Sequence, residues 1–109
     1  MDELRKSPRI TLDQELQVID RGDGSRMGVV VNVSQGGVMV AGDRPVVTDR
    51  LYRLRLELTT PVAGKTHIHL GADALWSQNA EGSQYYTGFQ LIDIADDDLV
   101  LLLESAAKF

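Results

Sequence analysis

Val29-Val30-Val31-Asn32-Val33-Ser34-Gln35-Gly36-Gly37-Val38-Met39-Val40 decides how this chain is read. Two runs of Val and Met flank a short polar segment, the pattern of two β-strands joined by a tight turn. The turn packs an amide, a hydroxyl and adjacent glycines into a few positions. Glycine serves where φ must be positive or where another group must approach the backbone closely. Asn and Ser either bond their own backbone to fix a turn or present their polar ends outward. Two readings of the stretch therefore stand: a hairpin turn and nothing more, or a turn whose polar groups face a ligand.

Working outward, the remaining chain reads as a meander of short strands. Ile10, Leu12, Leu16, Val18 and Ile19 mark a first strand, closed by the Arg21-Gly22-Asp23-Gly24-Ser25 turn signal. Met27 to Asn32 and Gly37 to Ala41 form the second and third, and Gly42-Asp43-Arg44-Pro45 opens a loop. Tyr52, Leu54, Leu56 and Leu58 alternate with Arg53, Arg55, Glu57 and Thr59, which predicts one buried and one wet face. Thr60-Pro61-Val62-Ala63-Gly64 reads as a turn, His67 to Trp76 as a fifth strand, Ser77 to Ser83 as a polar loop and Gln84 to Ile92 as a sixth strand. The period then changes. Asp96-Asp97-Asp98 precedes Leu99, Leu102, Leu103 and Ala106 at helical spacing, with Lys108 beyond. Acidic residues in a first turn and a lysine at the end suit the helix dipole, so the three aspartates are read as capping. The expected fold is all-β with a C-terminal helix: a six-stranded antiparallel barrel with the helix plugging one end.

Composition narrows function mainly by exclusion. The chain has 109 residues, 43% hydrophobic and 25% charged, enough for one domain with one core. It contains no cysteine, which removes disulfides, thiolate metal sites and a cysteine nucleophile. Met1 to Lys6 leads into no apolar run, so no signal peptide is expected, and the Leu99–Leu103 cluster is too short to cross a bilayer. The expectation is a cytoplasmic protein without membrane insertion. A net charge of −5 argues against bulk binding of DNA or RNA. Positive charge is nonetheless concentrated in Arg5, Lys6 and Arg9, around Pro8. This arm, residues 1–9, is expected to be extended and loose, ahead of a barrel domain over 10–109. A solvated terminal cluster and a ligand-binding arm are both compatible with it.

Catalytic signals are sparse. His67 and His69 share one strand face, but a third metal ligand would have to come from Asp73 or further away, so no metal is expected. There is no nucleophile elbow and no Walker loop, and Ser34 has no neighbouring histidine in sequence to activate it. No enzymatic activity and no catalytic residue are assigned.

The two conspicuous segments gain meaning together. Arg5-x-x-x-Arg9, followed by Asn32-x-Ser34-x-x-Gly37, resembles the paired motifs of the PilZ domain family. Tyr86-Thr87-Gly88-Phe89, the apolar-acidic helix after it, and Trp76 at the close of the fifth strand also resemble that family, so the likeness covers nearly the whole chain. The resemblance implies a six-stranded barrel with a C-terminal helix, and a receptor for the bacterial second messenger cyclic di-GMP. It also implies a ligand-binding set of Arg5, Arg9, Asn32, Ser34 and Gly37, to which Lys6, Gly36 and Trp76 are added. Guanidinium groups fork onto phosphate or onto guanine O6 and N7, or lie flat on a purine. In this scheme Arg5 and Arg9 wrap the ligand, Asn32 meets a guanine edge or phosphate, Ser34 donates to a phosphate oxygen, and Gly37 admits the ligand to the backbone. Trp76 either stacks there or is an ordinary rim aromatic. Asp is the commoner family residue where Asn32 stands, and losing one acceptor oxygen should weaken binding by about 1 kcal/mol. Leu4, beside the first arginine, leans towards one bound ligand rather than an intercalated pair. Ligand is expected to order the arm and create a surface for a downstream protein partner in motility, exopolysaccharide or biofilm control. Two alternatives are an adaptor of the same fold that binds only proteins, and a barrel for another anionic nucleotide.

Overall fold

The computed structural model describes residues 15–34, 36–62 and 64–106, the side chains of 104–106 excepted. Among these residues, six strands and one helix occur in chain order: β1 Leu16–Asp20, β2 Arg26–Ser34, β3 Gly37–Gly42, β4 Arg50–Val62, β5 Lys65–Glu81, β6 Gln84–Ile94 and α1 Asp96–Ala106. All pairings are antiparallel, in the order β1-β2-β3-β6-β5-β4, and β4 returns to β1 to close the barrel. Closure leaves no free sheet edge among these strands.

Alternation decides what goes inside. Leu16 and Val18 of β1, Leu54 and Leu56 of β4, and Ile68, Leu70, Ala72 and Ala74 of β5 all point inward and are buried. Each fully buried Leu or Ile contributes roughly 1.5–3 kcal/mol, which makes this layer the main driving force for closure. Small alanines on β5 face large neighbours: in one inward row Val33, Val38, Phe89 and Ala74 lie side by side across β2, β3, β6 and β5. The Phe89 ring meets Tyr52 edge to face, with centroids 5.9 Å apart.

The helix joins this core. Leu101 and Leu102 are buried among the barrel residues, Leu103 packs against them, and α1 lies against β2 and β5. The buried face is thus centred on Leu101 and Leu102, while Leu99 is half-buried. Asp98 also differs from a capping role. Its side chain turns inward, where Oδ1 accepts from Lys65 Nζ at 2.7 Å and Oδ2 from the His69 amide at 3.2 Å. Burial works to raise the Asp98 pKa, but the Lys65 bond and the His69 N–H outweigh it and leave the carboxyl below its ordinary value. The partner effect on Lys65, led by its bond to Asp98, is upward.

Several boundaries depart from the sequence reading. β4 runs on through Thr60, Pro61 and Val62, with its register to β5 shifted between Glu57 and Val62. Pro61 brings no N–H to a ladder, and irregular pairing is where a strand tolerates it. β5 does not end at Trp76; Ser77–Glu81 continues it, so the polar loop shrinks to a turn at Gly82 and Ser83, with Gly82 at φ 60°. Polar composition misleads here because an exposed hairpin needs no apolar face to keep its backbone hydrogen bonds. Residues 10–14 of the expected first strand, the arm 1–9 with Leu4, and Lys108 lie outside the described residues.

Candidate functional site

β2, β3, β6 and β5 present one continuous outer surface. Their register places Asn32, Met39, Gly88 and Trp76 in one lateral row, and Ser34, Gly37, Gln90 and Asp73 in the next. These rows frame a concavity of about 560 Å³, bordered by Asn32, Ser34, Gly36, Met39, Leu75 and Trp76, with Gly37, Gly88 and Gln90 also lining it. That volume lies within the range of small-ligand pockets.

Two β-bulges build the concavity. Along β2, Val30 and Val33 are both buried although they stand three apart, because the pairing slips by one residue between Val30 and Asn32. Unbroken alternation would send Asn32 into the core with Val30; the extra residue turns it outward. β5 repeats the device. Its register shifts between Ala74 and Trp76, so the indole emerges on the outside, 38% exposed. Strict period two from Ile68 through Ala74 would have buried it. Both bulged strands therefore deliver a side chain to the same row, on either side of β3 and β6.

Glycines have distinct reasons in this row. A Cβ at Gly88 would lie 2.4 Å from the Trp76 indole nitrogen, so only glycine lets the ring lie down across the sheet. A Cβ at Gly37 would lie 2.2 Å from the Phe89 carbonyl oxygen. Gly37 is thus required by the contact between β3 and β6, whether or not a ligand is present. Gly36 differs: it is exposed, and a Cβ there would meet open space. Its carbonyl accepts from the Leu91 amide at 2.9 Å, which ties the β2–β3 turn to β6.

The polar groups are largely uncommitted. Ser34 Oγ reaches the Gly37 carbonyl oxygen only at 3.5 Å, the outer limit of a hydrogen bond, and Asn32 has no side-chain partner among the described residues. None of the described residues lining the concavity is charged. Of the expected site residues, the structure brings Asn32, Ser34, Gly36, Gly37 and Trp76 together; Arg5, Lys6 and Arg9 lie outside the described residues. Met39, Leu75 and Gln90 also border the site, and sequence reasoning does not pick them out. Met39 is visible in sequence as the outward neighbour of Val38 and Val40, whereas Leu75 and Gln90 need the register.

A model of the PilZ domain matches residues 3–107. The chain belongs to the PilZ domain family. Among solved structures, this PilZ domain is similar to the Bacillus subtilis inhibitor of motility MotI/DgrA, with a TM-score of 0.68 and 20% identity. The alignment covers 96% of this chain and 51% of that one, so the domain spans about half the length of its structural relative. At that identity the likeness is one of fold. No curated protein matches.

Elsewhere on the PilZ domain, His67 and His69 stack with ring centroids 4.6 Å apart on the outer face of β5. Burial, and then the charge of Arg21, lowers the His69 pKa from its ordinary 6.5. Among the described residues no three His, Cys, Asp or Glu side chains gather as a metal would need, and no helix is long and apolar enough to cross a membrane.

Proposed function

We propose that this chain is a receptor for cyclic di-GMP, bound in the concavity beside Asn32, Ser34 and Gly36, with Arg5, Lys6 and Arg9 closing over it. The observation that carries the proposal is the pairing of uncommitted Asn32 and Ser34 with an exposed Trp76 across an uncharged hollow. A doubly charged dinucleotide needs cations, and the paired motif of the family supplies them as Arg5 and Arg9 rather than from the barrel wall. The wall contributes what the arm cannot: fixed hydrogen-bonding groups and an aromatic surface on which a guanine stacks.

Binding orders the arm against the barrel, and that ordered arm is the signal read by a downstream protein partner. No catalytic step is required of any residue. The name of the structural relative, an inhibitor of motility, makes motility the first output to examine, ahead of exopolysaccharide or biofilm. Isothermal calorimetry with cyclic di-GMP, with Trp76 fluorescence measured in parallel, tests the reading. Saturable binding near micromolar affinity, competed poorly by GTP and cyclic di-AMP, is the expected result. Absence of heat and of a fluorescence change would leave a protein-only adaptor as the reading.

A further inference from the structure

The far side of the barrel from the concavity is built differently. In the closed order, β1 and β4 stand opposite β3 and β6. Arg26 of β2, Ile19 of β1, Arg55 of β4 and His69 of β5 lie in one lateral row, and His67 stands one outward position along from His69. The next row towards the β1–β2 turn holds Arg53, whose carbonyl accepts from the Arg21 amide at 2.8 Å. Arg21, Arg26 and Arg53 are exposed.

The charge balance of this face is the reverse of the chain's −5. Glu57 is taken up by Arg55, whose Nη2 lies 3.1 Å from its carboxylate. Arg26 Nε donates to the neutral Gln17 amide, which in turn donates to Glu15. Among the described residues, Arg21, Arg26 and Arg53 have no carboxylate partner. Burial is the main cause of the depressed His69 pKa; Arg21, His67 and Arg55 lower it further, and Asp98 opposes them. Guanidinium groups left without a counter-charge have a ready partner in carboxylates, which they grip in a bidentate fork.

We infer that the β1–β4 face, through Arg21, Arg26 and Arg53, is a docking surface for an acidic segment of a partner protein. Charge complementarity favours a short peptide segment over a nucleic acid or a membrane. A long polyanion or a lipid surface must also meet the remaining, net acidic surface, whereas a short segment meets a patch on which Arg21, Arg26, Arg53 and Arg55 outnumber Glu15 and Glu57. Ile19, half-buried between the cations, adds an apolar contact of the kind a peptide side chain uses. This face does not depend on the nucleotide reading.

The test uses the full chain and a fluorescein-labelled peptide of alternating glutamate and serine, with binding read by anisotropy at low salt. The parent protein should bind it, and Arg21→Gln/Arg53→Gln should bind about fivefold more weakly. Arg5→Ala/Arg9→Ala, with the same loss of two charges, should change it less than twofold. Amide shifts on adding peptide should map to β1 and β4, and the double glutamine variant should bind cyclic di-GMP as the parent does. If that variant melts early, Arg26→Gln carries the same test with a smaller drop. No peptide binding, equal weakening on removing Arg5 and Arg9, or shifts confined to the Trp76 face would overturn the proposal. So would tighter binding to oligouridylate or to phosphatidylserine vesicles than to the peptide.

Discussion

The two sides of this barrel contrast in how their strands are paired. On the β1–β4 side, Leu16–Asp20 runs against Leu54–Leu58 without a slip, with Leu16, Val18, Leu54, Leu56 and Leu58 buried; β1 slips only against β2, between Val18 and Ile19. On the other side, β2 and β5 each carry a bulge in the row of the concavity, and β3 and β6 meet there through glycine. The regular side spends its outward positions on charge. The irregular side gives up backbone regularity to turn Asn32 and Trp76 outward and lay an indole flat. Bulges are a way to re-aim a side chain without changing the strand's neighbours, and here two of them define one hollow.

The sharpest break between the sides should come from the arginines. Arg9→Ala is expected to weaken cyclic di-GMP binding by about 2 kcal/mol, roughly thirtyfold, because a charge-assisted contact is lost. Arg53→Ala, on the regular side, should leave calorimetric affinity unchanged; if it weakens binding as much, the two faces are not functionally separate. A comparison within the turn comes next. Gly37→Ala forces a Cβ against the Phe89 carbonyl and should cost about 2 kcal/mol in urea unfolding, whereas Gly36→Ala, facing open space, should stay within about 0.5 kcal/mol. Equal costs would mean that β3 can slide away from β6.

Gly88→Ala should be somewhat milder, about 1–2 kcal/mol, because the indole can swing out where a backbone carbonyl cannot. Its diagnostic is a red-shifted Trp76 emission, and an unchanged spectrum would contradict the seating of the ring on Gly88. The smallest effect concerns pH. His69 has a folded pKa below its ordinary 6.5, so the unfolded chain takes up that proton first and stability falls as pH drops below about 6.5. Asp98 has a folded pKa below 3.8, so its contribution is present above that value and lost as pH falls through the folded one. Melting temperature should therefore decline gently from neutral to pH 5 and more steeply below 4. Asp98→Asn should flatten the lower limb, and an unaltered lower limb would remove Asp98 from the account.

The regular side is legible in sequence because alternation is a local property: Tyr52 to Leu58 announces its own two faces. The irregular side is legible only in part. Asn32, Ser34 and Gly36 stand out by residue type, yet the three-residue step from Val30 to Val33 that turns Asn32 outward reads the same as any run of valines. Trp76 looks like the end of a strand because the residues after it are polar, while the strand continues to Glu81. Gly37 and Gly88 stand out as motif glycines, but which neighbour demands each one is a matter of register. Asp98, which reads as capping alongside Asp96 and Asp97, is instead the residue that fastens the helix to β5.

Sequence alone determined the antiparallel barrel, the terminal helix and the family motifs, because hydrophobic period and turn chemistry are written in neighbouring residues. Tertiary structure alone decided where the bulges fall, which glycine faces a carbonyl and which an indole, and that Arg21, Arg26 and Arg53 gather opposite the hollow. Those outcomes depend on which strand lies beside which, and closure of the barrel joins residues that are far apart in the chain.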